Sequence, residues 1–343
     1  MKRLLILAAL VAASFSFAQA KQPLRFNNDG QFKIMQFTDL HFVSTRPEEV
    51  AKTFARMDFI VEAEKPDFIA ITGDVIFGKP AKQMLQQILD RLDSYRIPFC
   101  IVYGNHDAEQ EMSRSEMSRM IASAKYSLNT LNGNGELADL RLPVMHSKAF
   151  GKSEEEPFDI FMFDSHDYAS NFGFKDVGGY AWFTNDQIQW LRTECAAATA
   201  ANGGKHVPSM AFFHIPVPEF YDAWILAQEK KHNGVVGLRG EYGGHPRLNS
   251  GMFTAMLETG NIMGISCGHD HDSDYIIPYY GIALVYARFS GDDTVYNHLA
   301  HGTRVFVLDE KELSEGNRSF STWIHEDDGR IQYETKFENG VLK

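Results

Sequence analysis

The chain has 343 residues, which is more than one typical domain length but within the range of large single α/β domains. It carries 45 acidic and 33 basic residues, a formal net charge of −12. This charge argues against a general binder of nucleic acid or anionic membranes, because such partners select basic surfaces. An anionic substrate would have to be drawn in locally by bound cations.

The first twenty residues have the pattern of an export signal. Lys2 and Arg3 precede an apolar stretch from Leu4 to Phe17, and Ala18-Gln19-Ala20 offers the small residues that a signal peptidase needs. The stretch is shorter than the roughly 20 residues of a membrane span, and no later segment is long and uncharged enough to be one. We expect cleavage after Ala20, a periplasmic or secreted location, and one domain over 21–343, since no linker or repeat divides it.

The three cysteines permit at most one internal disulfide. Cys100, Cys195 and Cys267 all lie in apolar surroundings, which favours buried free thiols.

The first half of the chain alternates strand-like and helix-like patterns. Short apolar runs predict strands over Lys33–Phe37, Phe68–Thr72 and Phe99–Tyr103. Apolar residues recur at helical spacing between them, namely Val50, Phe54, Met57 and Val61, then Met84, Leu85, Ile88, Leu89 and Leu92. This β-α-β-α-β order predicts a parallel sheet, whose ligands gather outside the carboxyl ends of the strands.

The second half is richer in strand signals. Further strands are predicted over Phe158–Phe163, Met210–Phe213, Ile262–Ser266, Ile282–Ala287 and Val305–Leu308, with a final edge hairpin from Ser319. Gly and polar residues predict loops over Asn129–Glu136 and Gly234–Gly251.

Polar fragments follow these strands and together indicate a site for two metal ions. Asp, Asn and His supply the oxygen and nitrogen ligands that divalent metals bind. The fragments are Asp39-Leu40-His41, Gly73-Asp74, Gly104-Asn105-His106-Asp107, His214 and Gly268-His269-Asp270-His271. A bridging carboxylate such as Asp74 would let two cations approach to about 3.5–4 Å, where both can contact one phosphate.

The order of these fragments resembles the calcineurin-like metallophosphoesterase superfamily, whose pattern is Asp-x-His, Gly-Asp, Gly-Asn-His-Asp/Glu, a single His and Gly-His-x-His. The resemblance runs from Phe32 to at least Phe306 and is nearest to the purple-acid-phosphatase-related, Dcr2-like group. It implies a four-layer α-β-β-α sandwich, in which two mixed sheets are flanked by helices.

The resemblance also implies a role for each residue. Asp39, His41 and His271 would bind one metal, Asn105, His214 and His269 the other, and Asp74 would bridge them. His106 would face the phosphate as general acid or transition-state stabiliser, with Asp107 holding its imidazolium form by charge and hydrogen bonding.

Two departures separate the chain from the iron-tyrosinate purple acid phosphatases. Those enzymes have Tyr at the position of Phe77 and lack the His that is His41 here. A purple charge-transfer site is therefore not expected, and the identity of the two expected divalent ions stays open between Mn, Fe and Zn.

Other polar residues are weaker candidates for substrate contacts. Asp164, His166, Asp167 and Tyr168 follow a strand and either border the phosphate or form a hydrogen-bonded loop. Arg239, His245 and Arg288 suit phosphate oxygens, although a surface ion pair is the more common role.

The expected function is that of an exported dimetal phosphoesterase acting on a small phosphorylated substrate. A hydroxide bridging the metals would attack phosphorus without a covalent enzyme intermediate. The alternatives are a nucleotidase or phosphodiesterase variant, and a catalytically silent protein that binds metal or phosphate. The substrate, the choice of monoester or diester, and the oligomeric state are left open.

Overall fold

A computed structural model describes residues 23–151, 155–230 and 234–343. The export signal predicted for residues 1–20 lies outside them. The described strands form two seven-stranded mixed sheets, here called sheet I and sheet II.

Sheet I contains the parallel strands predicted in the first half of the chain. In spatial order its strands are β14 (Val341–Leu342), β13 (Ile331–Glu338), β12 (Ser319–Glu326), β11 (Gly302–Asp309), β2 (Gln31–Phe37), β3 (Phe68–Thr72) and β4 (Phe99–Val102). β2, β3 and β4 are mutually parallel, and the other pairs are antiparallel.

Sheet II is built mainly from the second half. In spatial order its strands are β1 (Leu24–Arg25), β5 (Leu140–Met145), β6 (Phe158–Met162), β7 (Ser209–Phe212), β8 (Ile262–Cys267), β10 (Ile282–Tyr286) and β9 (Ile276–Tyr279). β6, β7, β8 and β10 are parallel neighbours.

Six of the described helices cover the outer faces of the two sheets, and the short last helix packs against the core between them. The described helices are α1 (Pro47–Glu64), α2 (Ala81–Tyr95), α3 (Arg114–Ser123), α4 (Asn185–Ala201), α5 (Glu219–Lys230), α6 (Met252–Thr259) and α7 (Glu310–Ser314). Short 3₁₀ segments occur at Asp107–Glu109, Lys148–Phe150 and Ala169–Phe172.

Three hydrophobic cores produce the four layers. One core joins α1, α2 and α3 to sheet I, another joins α4, α5 and α6 to sheet II, and the third lies between the sheets. Alternation along β3 shows how one strand serves two cores: Phe68 and Ala70 face sheet II, whereas Ile69 and Ile71 face the helices.

The predicted strands are present, with ends displaced by up to three residues. The predicted four-layer sandwich is confirmed. The three cysteines are buried, as expected, and none of them forms a disulfide within the described residues. Within the described residues, no helix is both long and apolar enough to cross a bilayer.

Candidate metal centre

Five loops at the carboxyl ends of strands bring the predicted ligands together. Sheet I contributes the loops after β2, β3 and β4, which carry Asp39 and His41, Asp74, and Asn105. Sheet II contributes the loops after β7 and β8, which carry His214 and then His269 and His271. The centre therefore lies where the two sheets present their strand ends to each other.

The first group of ligand atoms comes from Asp39, His41 and His271, which lie within 4.8 Å of one another and are buried. The two imidazole Nε2 atoms are 3.2 Å apart, and His271 Nε2 is 3.5 Å from Asp39 Oδ1. Nitrogens bonded to one metal at about 2.0–2.1 Å would have a similar separation. This group fits one ion.

The second group comes from Asp74, His214 and His269, also buried and within 4.8 Å. His269 Nδ1 lies 3.2 Å from His214 Nε2, which in turn is 3.2 Å from Asp74 Oδ2. The same Oδ2 atom is 3.7 Å from His41 Nε2 in the first group. Asp74 is thus placed between the groups, as a bridging carboxylate must be.

Buried polar atoms without partners supply an independent test of whether metals fit. Asp39 Oδ1 and Asn105 Oδ1 are shielded from solvent and make no hydrogen bond. Their side chains are otherwise engaged: Asp39 Oδ2 accepts from the His269 amide at 3.0 Å, and Asn105 Nδ2 donates to Tyr168. Because buried acceptors without a partner are costly, the chemistry of these two oxygens fits that of metal ligands.

Four of the seven ligands have left-handed backbone conformations. Asp39, His41, Asp74 and His269 have φ between 45° and 75°. Such conformations cost on the order of 1–3 kcal/mol each in residues other than glycine and cluster at functional sites. Here they turn the chain sharply off each strand, so that Asp39 and His41 both reach one group.

Two of the loops that carry the predicted ligands have no space for a side chain at one position, which is therefore glycine. A Cβ on Gly104 would collide with the Asp74 carboxylate and backbone, and one on Gly268 with the side chains of Thr38 and Asp39. The close approach of neighbouring loops lets ligands from different strands converge.

Burial and mutual charge shift the pKa values of the ligands. Burial alone would raise the pKa of Asp74, but the nearby His214 and His41 outweigh it and hold the pKa below its ordinary range. For His214, burial is outweighed by the carboxylates of Asp74 and Asp39, which raise its pKa to about 10. Burial and the charge of His214 lower the pKa of His269 to about 3. The carboxylates thus create a buried negative field that favours cations.

Backbone carbonyls behind the ligands orient two of the imidazoles. His214 Nδ1 donates to Thr72 O and His271 Nδ1 donates to Tyr296 O, each at 2.7 Å. Both bonds leave Nε2 as the nitrogen facing the centre. The edge of Tyr180 meets His269 with ring centroids 4.4 Å apart, which restricts that ring as well.

His106 borders the centre and belongs to neither ligand group. Its backbone amide donates to Asp74 Oδ1 at 2.8 Å, and its ring lies 4.9 Å from that of Phe77, measured between centroids. The side chain is 29% exposed, whereas the ligand side chains are nearly inaccessible. Of the histidines described at the centre, His106 therefore has the ring most accessible to solvent.

The predicted hydrogen bond between Asp107 and His106 is wrong. Asp107 Oδ1 accepts from the amides of Val75 and Ile76, and Oδ2 accepts from that of Gly104. Burial, with the charge of Asp74, raises the pKa of Asp107 to about 6. Its carboxyl joins the loops that carry Asp74 and Asn105, because the 3₁₀ turn starting at Asp107 directs its side chain inward.

The residues predicted as weaker candidates for substrate contacts lie in different environments. Tyr168 reaches the centre through Asn105, at 3.0 Å, whereas Asp164 forms an ion pair with Arg114. Arg288 is buried in ion pairs with Asp274 and Glu326, which corrects the expected surface role.

The remaining candidates lie in loops beside the centre. His166 contacts Gln187 at 2.8 Å, and Asp167 Oδ2 accepts from Asn171. Arg239 stacks over aromatic rings of Tyr221, Trp224 and Tyr242. His245 donates to the carbonyl of Pro246.

Three residues that contact the site were not predicted. Glu109 binds His106, Tyr296 supplies the carbonyl for His271, and Tyr180 packs against His269. The i,i+3 spacing of His106 and Glu109 was an available signal for the first. Tyr180 and Tyr296 lie far along the chain from the histidines they contact, and no local pattern marks them.

Comparisons with known proteins show the family of the chain. A family model for calcineurin-like phosphoesterases matches residues 32–273. The chain is 27% identical to the probable inactive purple acid phosphatase 28 of Arabidopsis thaliana, over 93% of this chain and 86% of the plant protein. It is 28% identical to the phosphatase DCR2 of Saccharomyces cerevisiae, over 75% of this chain but 46% of the yeast protein.

A solved structure is similar in fold. The dimetal phosphatase from Danio rerio superposes with a TM-score of 0.60 at 11% identity, covering 90% of this chain and 99% of the fish protein.

Proposed function

The chain belongs to the calcineurin-like phosphoesterase family, and we propose that it is an exported enzyme that hydrolyses phosphate monoesters, or diesters, with two divalent metal ions. One observation carries the proposal: two groups of buried ligand atoms lie side by side, with Asp74 Oδ2 between them. Asn105 would complete the second group. The ions would be Mn, Fe or Zn, since mixed nitrogen and oxygen ligands suit all three.

The chain's own residues would divide the chemistry. Two bound cations supply charge neutralisation at the phosphate and lower the pKa of a water molecule to about 7. His106 lies beside the two ligand groups, and its ring is partly exposed. It can therefore donate a proton to the leaving oxygen of a bound phosphate or stabilise negative charge there. The left-handed turns and backbone carbonyls hold the ligand side chains in place before substrate arrives.

Export is proposed from the sequence of residues 1–20 alone. A periplasmic or secreted protein would begin at Lys21 after cleavage. N-terminal sequencing of the protein recovered from its source tests this point, and an intact Met1 would contradict it.

A catalytically silent metal-binding protein is the second candidate. The names of the plant relatives, which call them probable inactive phosphatases, favour it. The presence of all seven ligand residues and of an accessible His106 favours the enzyme.

The test is metal analysis of the purified mature protein, with hydrolysis of nitrophenyl phosphate compared with bis-nitrophenyl phosphate under added Mn, Zn and Fe. We expect two ions per chain and turnover of at least one ester. An Asp74→Asn variant is the control for contaminating phosphatases, and its activity should fall by at least about 100-fold. Bound metal without turnover supports the silent alternative. A protein that binds no metal and cleaves neither ester overturns both.

A faster monoester reaction would indicate a phosphatase, and a faster diester reaction a phosphodiesterase. A nucleotidase variant would prefer a nucleoside monophosphate to nitrophenyl phosphate. A small phosphorylated substrate is proposed because the net charge of −12 disfavours long nucleic acids.

A further inference from the structure

The partner of His106 is Glu109, two positions beyond the aspartate that the motif predicts. His106 Nδ1 lies 2.7 Å from Glu109 Oε2. Because an ionised carboxylate only accepts hydrogen bonds, Nδ1 carries the proton and donates it. Nε2 is then the nitrogen left for the substrate.

The second oxygen of Glu109 is connected through Tyr168 to the predicted metal ligand Asn105. Tyr168 donates its hydroxyl hydrogen to Glu109 Oε1 at 2.9 Å. The same hydroxyl accepts from Asn105 Nδ2 at 3.0 Å. A continuous chain of three hydrogen bonds therefore connects His106, Glu109, Tyr168 and Asn105.

This chain determines the orientation of the Asn105 amide. An amide can be turned end for end, and only one orientation directs Oδ1 at a metal. Because Nδ2 is bound to Tyr168, Oδ1 is the atom that remains buried and unpartnered at the centre. Tyr168 is itself held by stacking on Tyr180, whose edge packs on His269.

We propose that Glu109 and Tyr168 are positioning residues: Glu109 directs Nε2 of His106 at the substrate, and Tyr168 directs Oδ1 of Asn105 at a metal. This inference rests on the proposed hydrolase function. It assigns to Glu109 the role that the sequence suggested for Asp107, whose oxygens are occupied by backbone amides. An ordinary surface ion pair between His106 and Glu109 would contribute little and would leave Asn105 unaffected.

The first test concerns Glu109. In Glu109→Ala we expect kcat to fall by about 10²-fold or more with KM unchanged, the range for losing general acid catalysis. The loss should be larger for an alkyl phosphate such as glycerol phosphate than for nitrophenyl phosphate, because nitrophenolate leaves without a proton. Glu109→Gln should recover part of the activity through its amide oxygen. Glu258→Gln, which removes an exposed pair with Arg192, is the matched control.

The second test concerns Tyr168 and uses metal-free protein. Tyr168→Phe should weaken Mn binding, measured by calorimetry, by about 10-fold or more, as changes behind a metal ligand do. Tyr95→Phe is the matched control, since it removes a tyrosine-to-carboxylate bond between α2 and α1, at Asp58.

A third measurement is independent of turnover. Nitrogen-15 NMR of the metal-free wild type, at a pH where the His106 ring is neutral, should show its single proton on Nδ1. The acid is the imidazolium form, which carries a second proton on Nε2 and donates that one to the leaving oxygen. Glu109→Ala should abolish the preference for Nδ1 in the neutral ring. Wild-type kcat in Glu109→Ala, wild-type Mn binding in Tyr168→Phe, or a proton on Nε2 alone would overturn the inference. An inactive wild type with the expected NMR and binding results would instead count against the proposed function alone.

Discussion

Asp74 shows how one side chain serves both ligand groups. Its Oδ2 atom lies 3.2 Å from His214 and 3.7 Å from His41, while Oδ1 accepts from the amide of His106. The carboxylate thus joins the two metal positions and also anchors the backbone next to the proposed acid. Because both carboxylate oxygens of Asp74 are used, few other residues could replace it.

Asn105 provides the sharpest residue-scale prediction. Asn105→Ala removes the buried, unpartnered amide oxygen that we propose completes the second group, so metal content should fall from two ions toward one per chain. We expect activity to drop by at least about 10–100-fold, because even changes behind a metal ligand cost that much. Metal analysis and ester hydrolysis measure both effects.

The exposed Asn134, in the turn between Leu131 and Leu137, offers a control. Asn134→Ala should retain both ions and full activity. Two ions and wild-type turnover in Asn105→Ala would contradict its assignment as a ligand.

At the scale of elements, the first turn of α4 supports the loop that carries Tyr168. Thr184 and Gln187 form a capping box, in which each side chain accepts from the other's backbone amide. Gln187 Nε2 also donates to Asp164 O at 2.8 Å. The helix start is thereby tied to the segment after β6, on the way to the metal centre.

Thr184→Ala should lower the free energy of unfolding by about 1 kcal/mol, the usual effect of losing an N-cap side chain. Urea unfolding followed by circular dichroism measures it. Thr193→Ala lies on an exposed position of the same helix and should be neutral or slightly stabilising, because alanine favours helix. Equal stabilities for the two variants would contradict the capping role.

At the scale of the whole molecule, the packed layers bury carboxyls far from the metal centre. Asp159 on β6 is fully buried, and burial, only partly offset by Arg141, raises its pKa from 3.8 to about 6. Its Oδ1 atom has no hydrogen-bond partner. The folded protein therefore binds this proton more tightly than the unfolded chain does.

The protonated Asp159 carboxyl stabilises the folded protein at low pH. The stabilisation is complete below pH 3.8, the ordinary pKa, and is lost as the pH rises through about 6. We expect Asp159→Asn to remove on the order of 3 kcal/mol of pH-dependent change in the unfolding free energy of metal-free protein, since one pKa unit corresponds to about 1.4 kcal/mol. Urea unfolding across this range measures the slope. The exposed Asp29→Asn variant should keep the wild-type slope, and an unchanged slope in Asp159→Asn would contradict the prediction.

Local patterns of apolar residues in the sequence predicted most of the strands. The strand Phe68–Thr72 has the predicted bounds, and β2 and β4 differ by two residues or fewer, because runs of buried apolar residues identify strands directly. The short strands β1, β5, β9 and β14 were not predicted, since two to six residues with mixed burial give little periodic signal.

The positions of the ligands after strands were enough to predict which side chains gather at the metal centre, because parallel strands end at one edge of a sheet. How these side chains contact one another depends on the packing of the two sheets. His214 reaches Thr72, 142 positions away in the chain, because two sheets pack face to face. The same packing and a single 3₁₀ turn gave His106 the partner Glu109 rather than Asp107. Contacts of this kind depend on side-chain direction in three dimensions, which spacing along a chain does not specify.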